Sequence, residues 1–313
     1  MIQEGQAAET AGIAARADSA AVGAARPAQS YWSQSWERLR ANRLGVGAAG
    51  VILFMSVVAL LAPLLSTVVT HRAFYEQDIQ HNFAVPGAAG HLLGTDEIGR
   101  DTLTRLIWGA QVSLGVGFLT VALSLALGTA VGLLAGYYGG VVDDLLMRFV
   151  DVVLAIPRLF LFILVGILFF RQTSLVSVSL VIASVGWGGT ARLVRGEVLS
   201  IRHRDFMLAT RSIGAGDARL ILRHLLPNAL PVLIVAASLG VGGVILAEAA
   251  LDFLGFGIHP PTPSWGNMLS NAQQYFVHSP WLVFLPGACI FVTVLASNLF
   301  GNAVRDAFDP KLR

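Results

Sequence analysis

The sequence predicts an all-α membrane protein with six transmembrane helices, and three observations carry that expectation. The first is composition: the 313-residue chain is 55% hydrophobic and 13% charged, with a mean hydropathy of +0.68. A soluble globule keeps much of its surface polar, so a bilayer is the fitting solvent for so much apolar side chain. The second is the length of the uncharged stretches, since a hydrocarbon core of roughly 30 Å needs about 20 helical residues per crossing. The third is the placing of arginine, which gathers in alternate connecting segments.

Residues 1–30 are Ala-rich with scattered Arg, Glu and Gln and lack the apolar core of a signal peptide, which predicts a disordered cytoplasmic tail. Residues 31–43 ("YWSQSWERLRANR") place Trp32, Trp36 and Leu39 on one helical face, with Arg38 and Arg40 elsewhere. They form either an interfacial helix on an anionic leaflet or a plain lead-in to the first span.

The first span runs from Leu44 to about Val69. Residues 44–107 thus comprise one span and an outer segment, and 108–304 a core holding five more. The second span lies within Leu106–Val142, too long for one crossing, so its ends reach the interfaces. The third ends near Phe170, and its clean apolar part, Leu159–Phe170, is too short to cross. Its helix must begin earlier and carry Arg148, Asp151 and Arg158, with the pairs Asp144–Arg148 and Arg148–Asp151 at helical spacing and a kink at Pro157. The fourth covers about Gln172–Ala191, the fifth Pro231 to about Phe253, and the sixth Pro280 to about Val304. Residues 305–313 form the C-terminus.

An N-terminus in the cytoplasm puts Arg38, Arg40, Arg43, Arg148, the cluster from Arg192 to Arg223, Arg305, Lys311 and Arg313 inside. Only Arg72, Arg100, Arg105 and Arg171 fall outside, so the positive-inside rule prefers this orientation, with both termini cytoplasmic. The formal net charge is +2.

The long inner connection, 192–230, is the least apolar part of the core. At about 100° per residue, Leu199, Phe206, Ala209 and Ile213 gather on one side of a helix and Ile201 and Leu208 nearly opposite. Two apolar edges predict a helix sandwiched between its own membrane domain and a second protein. Gly214-Ala215-Gly216 permits a sharp reversal. A second short helix, 218–226, shares a face of Ala218, Ile221, Leu222, Leu225 and Leu226 and leaves Leu220 pointing away. Pro227 and Pro231 then interrupt the backbone.

This stretch resembles the "EAA" loop of ABC-importer permeases: Leu208-Ala209-Thr210, then Gly214, then Leu225-Leu226-Pro227, with Leu208 standing where the pattern has Glu. "HLLGTDEIGRDTLTRLIWGAQVSLGVGF" (91–118), "AEAALDFLGFGIHPPTPSWGNMLS" (247–270) and "GNAVRDAFDPKLR" (301–313) are similar to segments of the oligopeptide/dipeptide permease family, in particular the second permease of each pair. The resemblance implies a type I ABC importer permease fold in the bacterial inner membrane. It also implies partners: a second permease subunit, two cytoplasmic ATPases and an extracytoplasmic binding protein, with membrane lipid around and no nucleic acid. It gives the ATPase-coupling role to residues 199–226, in particular Phe206, Leu208, Ala209, Arg211, Gly214, Ala215, Asp217, Leu220 and Leu226, and to the adjoining Pro227. Peptides are the implied substrate. Nickel or another small solute is the alternative within the family, and a stand-alone channel or membrane enzyme is the alternative outside it.

A Walker A motif needs Gly-Lys-Ser/Thr, and the single lysine, Lys311, is followed by Leu312. No His-Glu-x-x-His or Gly-x-Ser-x-Gly is present either. The chain is therefore not expected to be an enzyme or to bind a cofactor; ATP and Mg would serve the partner subunits. The lone Cys289 permits no internal disulfide. His71, His81 and His91, ten residues apart on the outer segment, read as exposed rather than as a metal site. Glu248 and Asp252 form an i,i+4 carboxylate pair near the outer end of the fifth span. They line a translocation path or gate, or they tie down the 254–279 loop. That loop predicts a short helix over 268–276, with Trp265 and Trp281 as interface anchors. The glycine-rich stretches 115–118, 128–132 and 240–244 predict close helix packing.

Overall fold

The computed structural model describes residues 31–169 and 173–309. The predicted tail over 1–30, Arg171, Lys311 and Arg313 lie outside the described residues. Among the described residues the chain is helical throughout, with one isolated β-bridge between Thr95 and Asp101.

The helices are α1 (Tyr31–Ala41), α2 (Arg43–Leu60), α3 (Thr102–Tyr138), α4 (Gly140–Ala155), α5 (Arg158–Phe169), α6 (Leu175–Ile201), α7 (Asp205–Ser212), α8 (Asp217–Phe253), α9 (Trp265–Ala272) and α10 (Trp281–Phe308). Helices α2, α3, α6, α8 and α10 are each long and apolar enough to cross a bilayer. Helices α4 and α5 pass together as a sixth, but they meet at 97°.

That bend replaces the predicted kink. Pro157 supplies no N–H and pushes its predecessor out of the helical region, and Ile156 sits at φ −86°, ψ 135°. Helix α4 does not carry the predicted pairs within itself. Instead Asp143 receives Arg195 at 2.6 Å, and Asp151 pairs with Arg192. Both arginines belong to α6, so the acids of α4 are used between helices.

Helix α3 runs 37 residues, about 55 Å at 1.5 Å per residue. It stops at Tyr138, short of the predicted Val142, because Gly139 and Gly140 take φ +66° and +53° and reverse the chain. Gly128, Gly132 and Gly136 face α6, where an added Cβ would come within 2.7 Å of Thr190 and Trp187, 2.8 Å of Val194 and 2.8 Å of Val198 respectively. This stripe lets the α3 and α6 backbones close on one another, as the 128–132 stretch predicted.

Helix α1 seats on the end of α10. The Tyr31 hydroxyl donates to the Phe308 carbonyl at 2.8 Å, and the Trp32 and Phe308 rings meet edge-on at 5.6 Å. Asn42 then caps α2 by accepting the Gly45 N–H at 2.9 Å. Trp32 and Trp36 keep about half their surface exposed.

At the opposite end of α3, the outer segment is held by polar contacts. Asp101 caps α3 through the Thr104 N–H at 2.8 Å and pairs with the His91 ring at 2.8 Å, while Arg72 reaches the other His91 nitrogen at 2.8 Å. His91 is therefore buried and structural rather than exposed. Among the described residues no cluster of His, Cys, Asp and Glu is arranged to hold a metal. Asp78 accepts a hydrogen bond from His81, which holds its carboxyl below the usual range.

Candidate functional site

The inner connection folds as an elbow on the end of α3. Helix α6 continues past the predicted Ala191 to Ile201, and the chain then turns at Arg202–Arg204 before α7 begins. The single helix expected over 199–213 is thus two. Arg202 fixes the break by donating to the Gly136 carbonyl at 3.0 Å. Gly214 takes φ +84° and ends α7, with the Ala215 N–H returning to the Thr210 carbonyl at 3.3 Å.

The inner side of the elbow is an apolar knot of Tyr137, Val198, Ile201, Met207, Leu220, Leu225 and Leu233. Leu220, expected to point away, is 1% exposed, while Leu222, expected to pack, is 63% exposed. The cause is a π turn over Ile221–Leu225, in which the Leu226 N–H bonds to Ile221 five residues back. The extra residue rotates the face that a regular helix would bury. Pro227 falls in the turn that follows the π turn and Pro231 inside the next regular stretch, and α8 runs past both as one helix where an interruption is expected.

A polar clamp spans the knot. The Tyr137 hydroxyl donates to Asp217 at 2.6 Å, and Arg211 donates to the Tyr137 oxygen at 3.3 Å. The opposite side of the elbow is open: Phe206, Leu208 and Ile213 are 39%, 54% and 85% exposed. Of the predicted coupling residues, Phe206, Leu208, Ala209, Arg211 and Gly214 share this exposed region. Ala215 is half-buried and Asp217 exposed at the clamp. Leu226 and Pro227 sit on the shaft of α8, half-buried and exposed. Tyr137, Arg202 and Met207 complete the elbow but were not singled out from the sequence. Tyr137 lies 80 positions from Asp217, and no local pattern connects them.

Glu248 and Asp252 are both buried. Asp252 accepts from the Ile258 N–H and from the Ser264 hydroxyl. Glu248 faces the Ser113 hydroxyl of α3 at 3.3 Å, and that oxygen accepts the Trp265 N–H at 3.1 Å. The pair ties the 254–279 loop to α3 and α8, through serines rather than an arginine. Ser264 also caps α9, which begins at Trp265 rather than Met268. Trp265 is 1% exposed and donates its ring N–H to the Leu106 carbonyl at 3.1 Å. It is a core residue and not an interface anchor.

A cavity of about 340 Å³ opens between α3, α5, α6 and α8. Thr120, Ser124, Arg158, Gly186, Thr190 and Gly243 are among its lining residues. Of the 240–244 stretch, Gly243 borders open space, whereas an added Cβ would come within 3.2 Å of Val121 at Gly240 and 3.3 Å of Ser297 at Gly242, the close packing that the stretch predicted.

Long apolar helices, a cavity between four of them and an elbow with exposed apolar residues fit a membrane permease. Residues 128–313 match the family described as binding-protein-dependent transport system inner membrane component, and residues 30–86 match the N-terminal TM domain of oligopeptide transport permease C. The dipeptide transport system permease protein DppC of Alkalihalophilus pseudofirmus is 40% identical over 286 residues, covering 91% of this chain and 92% of its own. The glutathione transport system permease protein GsiD of Pectobacterium atrosepticum is 36% identical over 282 residues, covering 90% and 92%. A chain of the MetNI methionine ABC transporter, solved in inward-facing conformations, aligns over 64% of this chain and 97% of its own, at 20% identity and a TM-score of 0.49. The chain belongs to the binding-protein-dependent transport system inner membrane component family, as a permease subunit of an ABC importer.

Proposed function

We propose that the chain carries peptides inward as one of two permease subunits, each supplying half of the pathway. It sits in the bacterial inner membrane with both termini cytoplasmic. Two cytoplasmic ATPases bind and hydrolyse ATP with Mg, an extracytoplasmic binding protein delivers substrate, and this chain performs no covalent chemistry itself. The elbow over 199–226 is the handle: the ATPases grip α7, and their closure rocks α6 and α8 between inward- and outward-facing arrangements.

The observation that carries the reading is the two-sided elbow. Met207 and Leu220 are buried against the bundle while Phe206, Leu208 and Ile213 stay exposed. A helix anchored on one side and apolar on the other is built to be covered by a second protein. Peptides as cargo are supported by the dipeptide and glutathione permeases among the relatives. Glu248 and Asp252 act as loop fasteners rather than as a gate, because their partners are Ser113, Ser264 and Ile258.

The test replaces Cys289 with Ser and then Leu208 or Ile213 with Cys in the assembled importer. Thiol crosslinkers should capture the ATPase from both positions and not from a control cysteine in the 254–279 loop. Failure of both elbow positions to capture it would remove the coupling assignment.

A further inference from the structure

Arg158 stands apart from the other charges of the bundle. It is the first residue of α5, placed directly after the 97° break. It lines the 340 Å³ cavity, in company with Thr120 of α3 and Gly186 of α6. Both of those lie near the middles of their helices, so the cavity that the exposed Arg158 lines reaches the middle of the bundle. Among the described residues Arg158 has neither an ion pair nor a hydrogen bond. Two of the three acids of α4 are engaged elsewhere, Asp143 with Arg195 and Asp151 with Arg192, and no pair joins Arg158 to the third, Asp144.

An unpaired arginine in a span costs roughly 2.5–3.5 kcal/mol at the bilayer centre on insertion scales, so it faces water or an anion. The surrounding wall is mostly apolar, with two further unused groups. The Ser124 and Thr190 hydroxyls border the same cavity and make no hydrogen bond among the described residues. One cation and two free hydroxyls lining the same cavity can together receive a carboxylate. The guanidinium fork matches the two carboxylate oxygens, and the hydroxyls can serve a neighbouring amide.

We infer that Arg158 is the carboxylate-recognising residue of the translocation cavity. It takes the α-carboxylate of a peptide in transit, with Ser124 and Thr190 serving the adjoining peptide group. The inference rests on the peptide-import reading above and names the chemical feature of the cargo that the permease itself detects. The break before α5 gives the residue its place: a straight helix through Pro157 would carry position 158 along the axis, whereas the bend delivers it to the cavity wall.

The experiment uses the complete importer in proteoliposomes, with its permease partner, ATPases and binding protein, and follows uptake of dialanine at saturating loaded binding protein. Arg158→Lys, Arg158→Gln and Arg158→Glu are compared with the parent, and ATP hydrolysis stimulated by the loaded binding protein is measured in parallel. Uptake should fall in the order Arg, Lys, Gln, Glu, with at least a tenfold loss for Gln and a further loss for Glu, while stimulated hydrolysis stays within about twofold of the parent. Unchanged uptake in Arg158→Gln overturns the inference. So does an equal loss in all three variants, which marks a structural role. Loss of the second permease from purified Arg158→Gln also overturns it, because the charge then serves a carboxylate of that subunit. A parent importer that hydrolyses ATP but moves no dialanine defeats the peptide reading instead, and the inference with it.

Discussion

The Tyr137 hydroxyl donates a 2.6 Å hydrogen bond to Asp217 across the elbow, and Arg211 donates to the same oxygen at 3.3 Å. Tyr137 is at the last turn of α3, Arg211 on α7 and Asp217 at the start of α8. One phenol therefore joins the three elements that must move together if the elbow is a handle. Tyr137→Phe keeps the ring in its apolar knot and removes only the bridge, at about 1 kcal/mol, since Asp217 is exposed and water competes for its carboxylate. Amide hydrogen exchange over 205–217 should quicken by roughly fivefold. Uptake per ATP hydrolysed should decline, because a looser elbow absorbs part of the stroke. Unchanged exchange in this segment would show that the apolar knot alone holds it.

Gly214 tests the elbow's shape separately from its contacts. Its φ of +84° is the only reason for glycine here, since an added Cβ meets nothing within 4 Å. Gly214→Ala should then lose only the conformational term, about 1–2 kcal/mol, and retain most transport. Gly214→Pro fixes φ near −65° and must redraw the reversal between α7 and α8. That variant should insert and assemble its helices normally, by protease mapping in membranes, yet lose both uptake and substrate-stimulated hydrolysis. Normal uptake by Gly214→Pro would remove the rigid-elbow mechanism.

Legibility of the fold followed the range of the interaction that decides it. The spans were readable because each is set by its own apolar run and its own ends. Two elbow errors share one local cause. The π turn at Ile221–Leu225 inserts a residue that turns Leu220 inward and Leu222 outward, and periodicity assumes a regular helix. Pro227, a residue that reads as a stop, falls in the turn that follows, and the helix runs on past it. Other features depend on pairing across the bundle. Arg192 and Arg195 read locally as positive charge on an inner loop, but they extend α6 and meet Asp151 and Asp143. The Glu248–Asp252 pair was visible as i,i+4 carboxylates, yet nothing local shows that Ser113 and Ser264 receive them. In the sequence Arg158 is only a charge near a kink, because the 97° bend that brings it to the cavity is a tertiary outcome.

The carboxylate pair offers a contrast between two neighbours. Asp252→Ala leaves the Ile258 N–H and the Ser264 hydroxyl without their acceptor, and each buried orphan costs about 1–3 kcal/mol. Glu248 contacts Ser113 at 3.3 and 3.4 Å and also approaches Asp252 and Ser264; glutamine keeps its size and can still hydrogen-bond there, so Glu248→Gln should be the milder change. Limited proteolysis from the side of the 254–279 loop should cut Asp252→Ala at least several-fold faster than the parent, and Glu248→Gln nearly at the parent rate. If instead Glu248→Gln abolishes uptake with the loop intact, the residue belongs to the pathway and not to the fastening.

Gly243 separates the pathway from the packing. It borders the cavity, and an added Cβ there meets nothing within 4 Å. A large side chain at this position grows into open volume instead of into a neighbouring helix. Gly132, by contrast, faces α6 so closely that an added Cβ would come within 2.6 Å of the Ala191 carbonyl oxygen. Gly132→Leu should therefore force α3 and α6 apart and lower the yield of folded protein, an overpacking penalty of about 1–3 kcal/mol or more. Gly243→Trp should leave yield and thermal midpoint close to the parent and block uptake by at least tenfold, since an indole fills much of a 340 Å³ space. ATP hydrolysis stimulated by the loaded binding protein should persist in Gly243→Trp, because the elbow is untouched. Free passage of dialanine past a tryptophan at 243, in a folded and hydrolysing importer, would mean that cargo does not cross through this cavity.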